Sequence, residues 1–167
     1  LLPKSKFAYI GQVADTGVKT YLDHNQLTMH TLIAGGTGCG KTVAGMDIVE
    51  ELLKKGVPVI VFDPVGQWTG FSKKNDDSRM KSLFRKFGIS AKGFKTNIIP
   101  ITKEMKSFDI TQHLQDKGLT VLKLNNASPQ TSDLFIERCL EQIYRKDLKE
   151  VSELKTLLVL DEVHRLL

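Results

Sequence analysis

Eight consecutive residues, Gly35-Gly36-Thr37-Gly38-Cys39-Gly40-Lys41-Thr42, constrain this chain more than anything else in it. They fit G-x-x-x-x-G-K-[ST] at every fixed position, a match that average residue usage gives in roughly half a percent of chains this long. Such a loop requires a strand before it and a helix after it. The apolar run over residues 31–35 is expected to be that strand. Residues 41–55 carry Val43, Met46, Val49, Leu52 and Leu53 at helical spacing, with Glu50/Lys54 and Glu51/Lys55 as i,i+4 pairs on the opposite face. Gly56 falls where a residue just past a helix end belongs. The chemistry explains the residue types. Glycines let successive backbone N–H groups turn inward around phosphate oxygens, at a helix N-terminus that already favours anions. In that setting Lys41 is placed to reach the β- and γ-phosphates of a nucleotide, and the Thr42 hydroxyl to sit on Mg²⁺. Cys39 occupies a free position of the pattern and reads as a small loop residue, not a nucleophile. A glycine-rich turn without a ligand is the competing reading, and the filled context on both sides weighs against it.

The rest of the chain alternates strands with helices. Near the start, "FAYIGQV" and "VKTYLD" flank Asp15-Thr16-Gly17, a hairpin signal. "VPVIVF" reads as a buried strand after the first helix, as in a parallel βαβ unit. Met80, Leu83, Phe84 and Phe87 repeat at helical spacing, with Gly88 closing that segment. "NIIPI" is a weak strand that Pro100 restricts to an edge or an end. "ITQHLQDKG" is a short helix candidate, and "LTVLKL" a further strand. Ser128-Pro129 opens a helix in the favoured cap-then-proline order, with Ile136, Leu140, Ile143 and Tyr144 as its expected apolar face. "KTLLVLDEVH" is the last strand, with a charged end. The pattern predicts an α/β fold with a mostly parallel sheet flanked by helices. Residues 1–27 form a short β lead-in and residues 28–167 the nucleotide-binding core.

Composition narrows the class. The chain has 167 residues, 41% hydrophobic and 26% charged, which suits one domain with a sizeable core. The net charge of +5, from 24 basic and 19 acidic residues, is compatible with an anionic partner but common in ordinary domains. Cys39 and Cys139 are far apart, with no C-x-x-C and no paired histidines, so neither a disulfide framework nor a Cys/His metal site is expected. That points to a reducing compartment, hence the cytoplasm. No apolar run approaches the roughly 18 residues of a membrane span, and no signal peptide is visible. The chain opens at Leu1-Leu2-Pro3 without methionine and stops at "DEVHRLL", as an excerpt of a longer protein would.

Two strands end in aspartate. "LLVLDE" runs four apolar residues into Asp161 and Glu162. Beside a phosphate loop, such an aspartate holds Mg²⁺, and a following glutamate can polarise the attacking water as general base. The alternative is a strand ending in a solvated acidic turn. Asp63 ends the other strand, and Asp63-Pro64-Val65-Gly66-Gln67 spells the D-x-x-G-Q of small GTPases. Yet the base-reading [NT]-K-x-D is missing, since Thr102-Lys103-Glu104-Met105 lacks the aspartate. Asp63 is therefore expected near the nucleotide but outside its first contacts. His164 reads as an ordinary surface histidine.

"HTLIAGGTGCGKT", then a helix, then "VIVFDPVGQW", then "LLVLDEVHRL", resembles the HerA–FtsK superfamily of ring-forming ATPases. The likeness is nearest to the HerA branch and the related type IV secretion and conjugation ATPases. It spans most of residues 28–167, and His30 would match a histidine that recurs in that branch. The resemblance implies a P-loop NTPase core of the RecA-like type that binds ATP and Mg²⁺. It would place ATP phosphates at Gly38, Gly40 and Lys41, Mg²⁺ at Thr42 and Asp161, and the general base at Glu162. Gln67 stands where the HerA pattern usually has an acid, and Val163 where it has alanine. The superfamily also sets another strand, after the acidic one, between the phosphate-loop strand and the acidic strand, followed by an arginine finger. Neither is in this sequence, so the core is expected to be incomplete at its C-terminus.

The resemblance further implies a homo-oligomer, a hexamer with nucleotides between subunits. Three functions are open: a motor that moves DNA, a secretion or conjugation motor that moves protein or protein–DNA cargo, and a nucleotide-binding switch. Glu162 argues against the last. Arg79, Lys81, Arg85, Lys86, Lys92 and Lys95 make the best candidate nucleic-acid surface, although a solvated helix face explains them as well.

Overall fold

The computed structural model describes residues 7–86, 90–105, 107–149 and 151–163, without the side chains of Leu83 and Lys86. It begins with an antiparallel hairpin of β1 (Phe7–Gln12) and β2 (Lys19–Asp23). The expected turn joins them. Asp15 and Gly17 adopt φ values of 60° and 69°, and the Thr16 hydroxyl donates to the Val13 carbonyl at 3.0 Å. A 3-10 helix, His24–Thr28, follows, its N-terminus capped by the Asp23 carboxylate. The Tyr9 N–H donates to Glu51 at 3.4 Å, and Leu27 is buried beside Val49 and Leu52, so this segment packs on the first helix.

That helix, α1 (Lys41–Lys54), buries Val49 and Leu52 and packs Met46 and Leu53 against the same core. Val43, expected on this face, is exposed, because the apolar stripe reaches the sheet only beyond the first turn. The Glu50–Lys54 pair forms at 2.8 Å, and Lys54 also reaches Glu51 at 2.8 Å. The helix ends as its sequence predicts. Gly56 takes φ of 80°, its N–H donates to Leu53, and the Val57 N–H donates to Leu52, the two bonds of a Schellman motif.

The main sheet contains β3 (Val59–Asp63), β4 (Thr96–Pro100), β5 (Leu119–Lys123) and β6 (Leu157–Leu160), all parallel, in the order β4-β5-β3-β6. Every residue of β3 is buried, as a strand covered on both faces requires. Its side chains alternate between two cores. Val59 and Val61 join Leu119, Val121 and α1, whereas Ile60 and Phe62 join Leu122, Leu124 and the helix α3 (Pro129–Arg145). Each such side chain, fully removed from water, contributes roughly 1.5–3 kcal/mol. The result is a helix–sheet–helix sandwich whose strands all end on one side. As Pro100 predicts, β4 is an edge strand and the proline is its last residue.

Helix α2 (Ser78–Lys86) forms where Met80 and Phe84 predict it, while Phe87 and Gly88 lie outside the described residues. Asp77 caps it, accepting from the N–H groups of Arg79 and Met80 at 2.9 and 3.0 Å. Of the helix expected in "ITQHLQDKG", only a 3-10 turn, Ile110–Gln112, is present. Among the described residues no helix is long and apolar enough to cross a membrane.

Two expectations are corrected. Residues 31–35 are not a strand: they are exposed and pair with no strand among the described residues. An apolar run becomes a strand only when another backbone takes up its hydrogen bonds, and the sheet stops at β6. On α3, whose start at Ser128 and Pro129 is as predicted, the buried positions are Ser132, Ile136 and Cys139. Ile143 packs against the same core, but Leu140 is exposed and Tyr144 is 91% exposed. The helix is turned so that Cys139, between the expected positions, faces the sheet.

Candidate nucleotide-binding site

The loop of residues 35–40 lies exposed at the C-terminal side of the sheet and runs directly into α1. Gly38 and Gly40 carry φ values of 77° and 91°, a left-handed conformation that other residues adopt only with strain. Gly40 is the N-cap of α1 and makes no side-chain bond, so no side chain of that residue covers the first-turn N–H groups. The Lys41 ammonium folds over the loop and donates to the Gly36 carbonyl at 3.0 Å. A cation over exposed amides at a helix N-terminus has the charge and the donors that suit a phosphate group.

Asp161 comes to this loop from the far end of the sequence. The Thr42 hydroxyl and Asp161 Oδ1, 119 positions apart, lie 3.4 Å from each other. Oδ1 also accepts the Glu162 N–H at 3.0 Å, and Oδ2 accepts the Trp68 indole N–H at 2.9 Å. Sheet register explains the placement. Phe62 pairs with Leu160, so Asp63 and Asp161 follow at the ends of neighbouring strands, with the Asp161 N–H on the Phe62 carbonyl at 3.3 Å. Glu162 turns the chain away with φ of 51°, an uncommon value for a residue other than glycine. A hydroxyl and a carboxylate converging at the start of α1 are the hard oxygen donors that Mg²⁺ takes, so the residues fit that ion.

Asp63 has a different task. Its Oδ1 accepts the N–H groups of Val65, Gly66 and Gln67 at 3.3, 2.7 and 3.2 Å, and Oδ2 accepts that of Trp68 at 3.0 Å. Buried completely, the carboxylate organises the whole turn after β3. Gly66, with φ of 88°, permits the tight path. Gln67 contributes its backbone N–H to this turn and is otherwise exposed. Sequence reasoning missed Trp68, although a tryptophan at the end of an aspartate-anchored turn was its signal: a buried indole requires an acceptor.

Other candidates are not drawn into this centre. Arg79, Lys81, Arg85, Lys92 and Lys95 are exposed, with Lys81 on Asp76 at 3.5 Å. Phe94 packs on Phe71, their ring centroids 6.1 Å apart, and Phe84 is half-buried. His30 is exposed, and His164 lies outside the described residues.

The two cysteines make the loop testable. Cys39 is exposed in the loop, whereas Cys139 is buried and burial pushes its thiol up to about 12. With an aromatic disulfide reagent at pH 8, Cys39 is expected to react at once and Cys139 only on unfolding. ATP should slow the Cys39 reaction, and equal rates with and without ATP would count against phosphate binding at this loop.

Residues 8–165 match the family described as "Helicase HerA, central domain". No curated protein sequence matches the chain. The match covers the hairpin, the glycine loop and the parallel sheet whose last strand runs into Asp161. The chain belongs to the Helicase HerA central-domain family, within the HerA–FtsK superfamily of P-loop ATPases.

Proposed function

We propose that this chain is the ATP-hydrolysing part of a Mg²⁺-dependent, ring-forming motor that moves along DNA, a HerA-like translocase or helicase. The observation that carries the reading is the meeting of Thr42 and Asp161 at 3.4 Å beside the start of α1, with Glu162 next in line. In this reading the amides of residues 35–42 and the Lys41 ammonium bind the phosphates of ATP. Lys41 exchanges its bond to the Gly36 carbonyl for one to phosphate oxygen. Thr42 and Asp161 would hold Mg²⁺, which would supply positive charge to offset that of the nucleotide phosphates. Glu162 accepts the proton of the water whose oxygen attacks the γ-phosphorus, while the bond to the leaving ADP oxygen breaks.

DNA is favoured as cargo because the matched family is described as a helicase, and exposed Arg79, Lys81, Arg85, Lys92 and Lys95 and the net charge of +5 agree with it. The same membership supports a homo-oligomeric ring, which we take to be a hexamer. With full-length protein, duplex DNA is expected to raise the ATPase rate, and the stimulation should fall steeply between about 50 and 200 mM salt. No response to single- or double-stranded DNA would favour a secretion or conjugation motor with a protein cargo.

A further inference from the structure

Trp68 is the chain's one tryptophan, and it is 1% exposed. It touches both strand-end aspartates: its backbone N–H donates to Asp63 Oδ2 at 3.0 Å, and its indole N–H to Asp161 Oδ2 at 2.9 Å. The ring is fixed on two other sides. It stacks on Phe71 with centroids 5.7 Å apart and planes 13° from parallel. Its outer edge faces Gly45 of α1, where a Cβ would stand 3.8 Å from the ring. The donor that reaches Asp161 is therefore held by the turn, the stack and the helix together.

We propose that Trp68 is a positioning residue for the cation site. Its indole N–H holds Oδ2 of Asp161 and so presents Oδ1 to Thr42 and the start of α1. A carboxylate rotates over a broad range about its last torsion, and a rigid neighbouring donor removes that freedom. Partners of metal-binding carboxylates commonly act in this way, and their loss weakens metal binding by roughly 10- to 100-fold. The same geometry gives the aspartate-anchored turn its purpose: Asp63 holds the backbone at Trp68, which carries the indole to Asp161. The inference rests on the reading of Asp161 as a Mg²⁺ ligand.

The test uses full-length protein with a non-hydrolysable ATP analogue and Mn²⁺ as the probe, free Mn²⁺ being counted by electron paramagnetic resonance. Three proteins are compared with wild type: Asp161→Ala, Trp68→Phe, and a protein carrying at position 68 the isosteric amino acid in which sulfur replaces the indole N–H. The sulfur analogue keeps shape and stacking and removes only the donor. Both changes at Trp68 are expected to weaken Mn²⁺ binding about tenfold or more, while nucleotide affinity in EDTA stays at the wild-type value. Combined with Asp161→Ala, they should weaken it no further. Wild-type Mn²⁺ affinity in the sulfur analogue, with a loss in Asp161→Ala, would overturn the role of Trp68 and leave the reading of Asp161 standing. Wild-type affinity in Asp161→Ala would overturn both. A sulfur analogue that also loses nucleotide in EDTA would reduce Trp68 to a packing residue.

Discussion

Glu162→Gln in the full-length protein is expected to leave ATP bound and to lower kcat by roughly 10²- to 10⁴-fold, the usual contribution of a positioned general base. The amide keeps the size and hydrogen-bonding reach of the acid but cannot take a proton from water. Glu162 follows Asp161 directly, and its N–H is tied to Asp161 Oδ1 at 3.0 Å, so the two residues are fixed as a unit. Its φ of 51° directs the chain sharply away from β6 at this point. Fluorescent-nucleotide binding and phosphate release, measured side by side, separate the two effects. Turnover within about threefold of wild type would remove Glu162 from the chemistry.

The second large effect concerns stability. Asp63→Ala is expected to destabilise the fold by about 3–5 kcal/mol, because four backbone N–H groups lose one shared acceptor and that of Trp68 is buried. Asp63→Asn should cost less, about 2 kcal/mol, since the amide oxygen still serves one side while its NH₂ meets a donor on the other. At roughly 2–4 °C per kcal/mol for a domain of this size, the alanine variant should melt on the order of 10 °C lower. Thermal unfolding followed by circular dichroism measures this, and a melting temperature within about 2 °C of wild type would show that the turn is held by other forces.

Features that depend on neighbours along the chain were legible in the sequence. The helix that follows the glycine loop, the Gly56 helix end, the Ser128-Pro129 helix start, the Asp15-Thr16-Gly17 turn and the edge position of the Pro100 strand all appear as read. Each rests on one residue's own backbone preference, or on hydrogen bonds spanning a few positions, so local sequence carries the whole cause. The alternation of strands and helices similarly implied a parallel sheet, because each crossover helix must cover one of its faces.

What depends on distant partners was decided by tertiary structure. The apolar run of residues 31–35 has the composition of a strand, but strand pairing is a property of two backbones, and none is aligned with it among the described residues. The α3 pattern admitted two adjacent faces, and packing against Ile60, Phe62 and Leu122 selected the one containing Cys139. Thr42 and Asp161, 119 positions apart, were each singled out by their local motifs, but the position of Trp68 between the two strand-end aspartates was not legible. That contact arises because parallel register sets Asp63 beside Asp161, and one turn anchored on the first reaches the second. The sequence by itself determined the caps, the turns and the alternation of strands and helices around a parallel sheet. Only the packed sheet decided which side chains meet, since such meetings are fixed by register and helix rotation rather than by spacing along the chain.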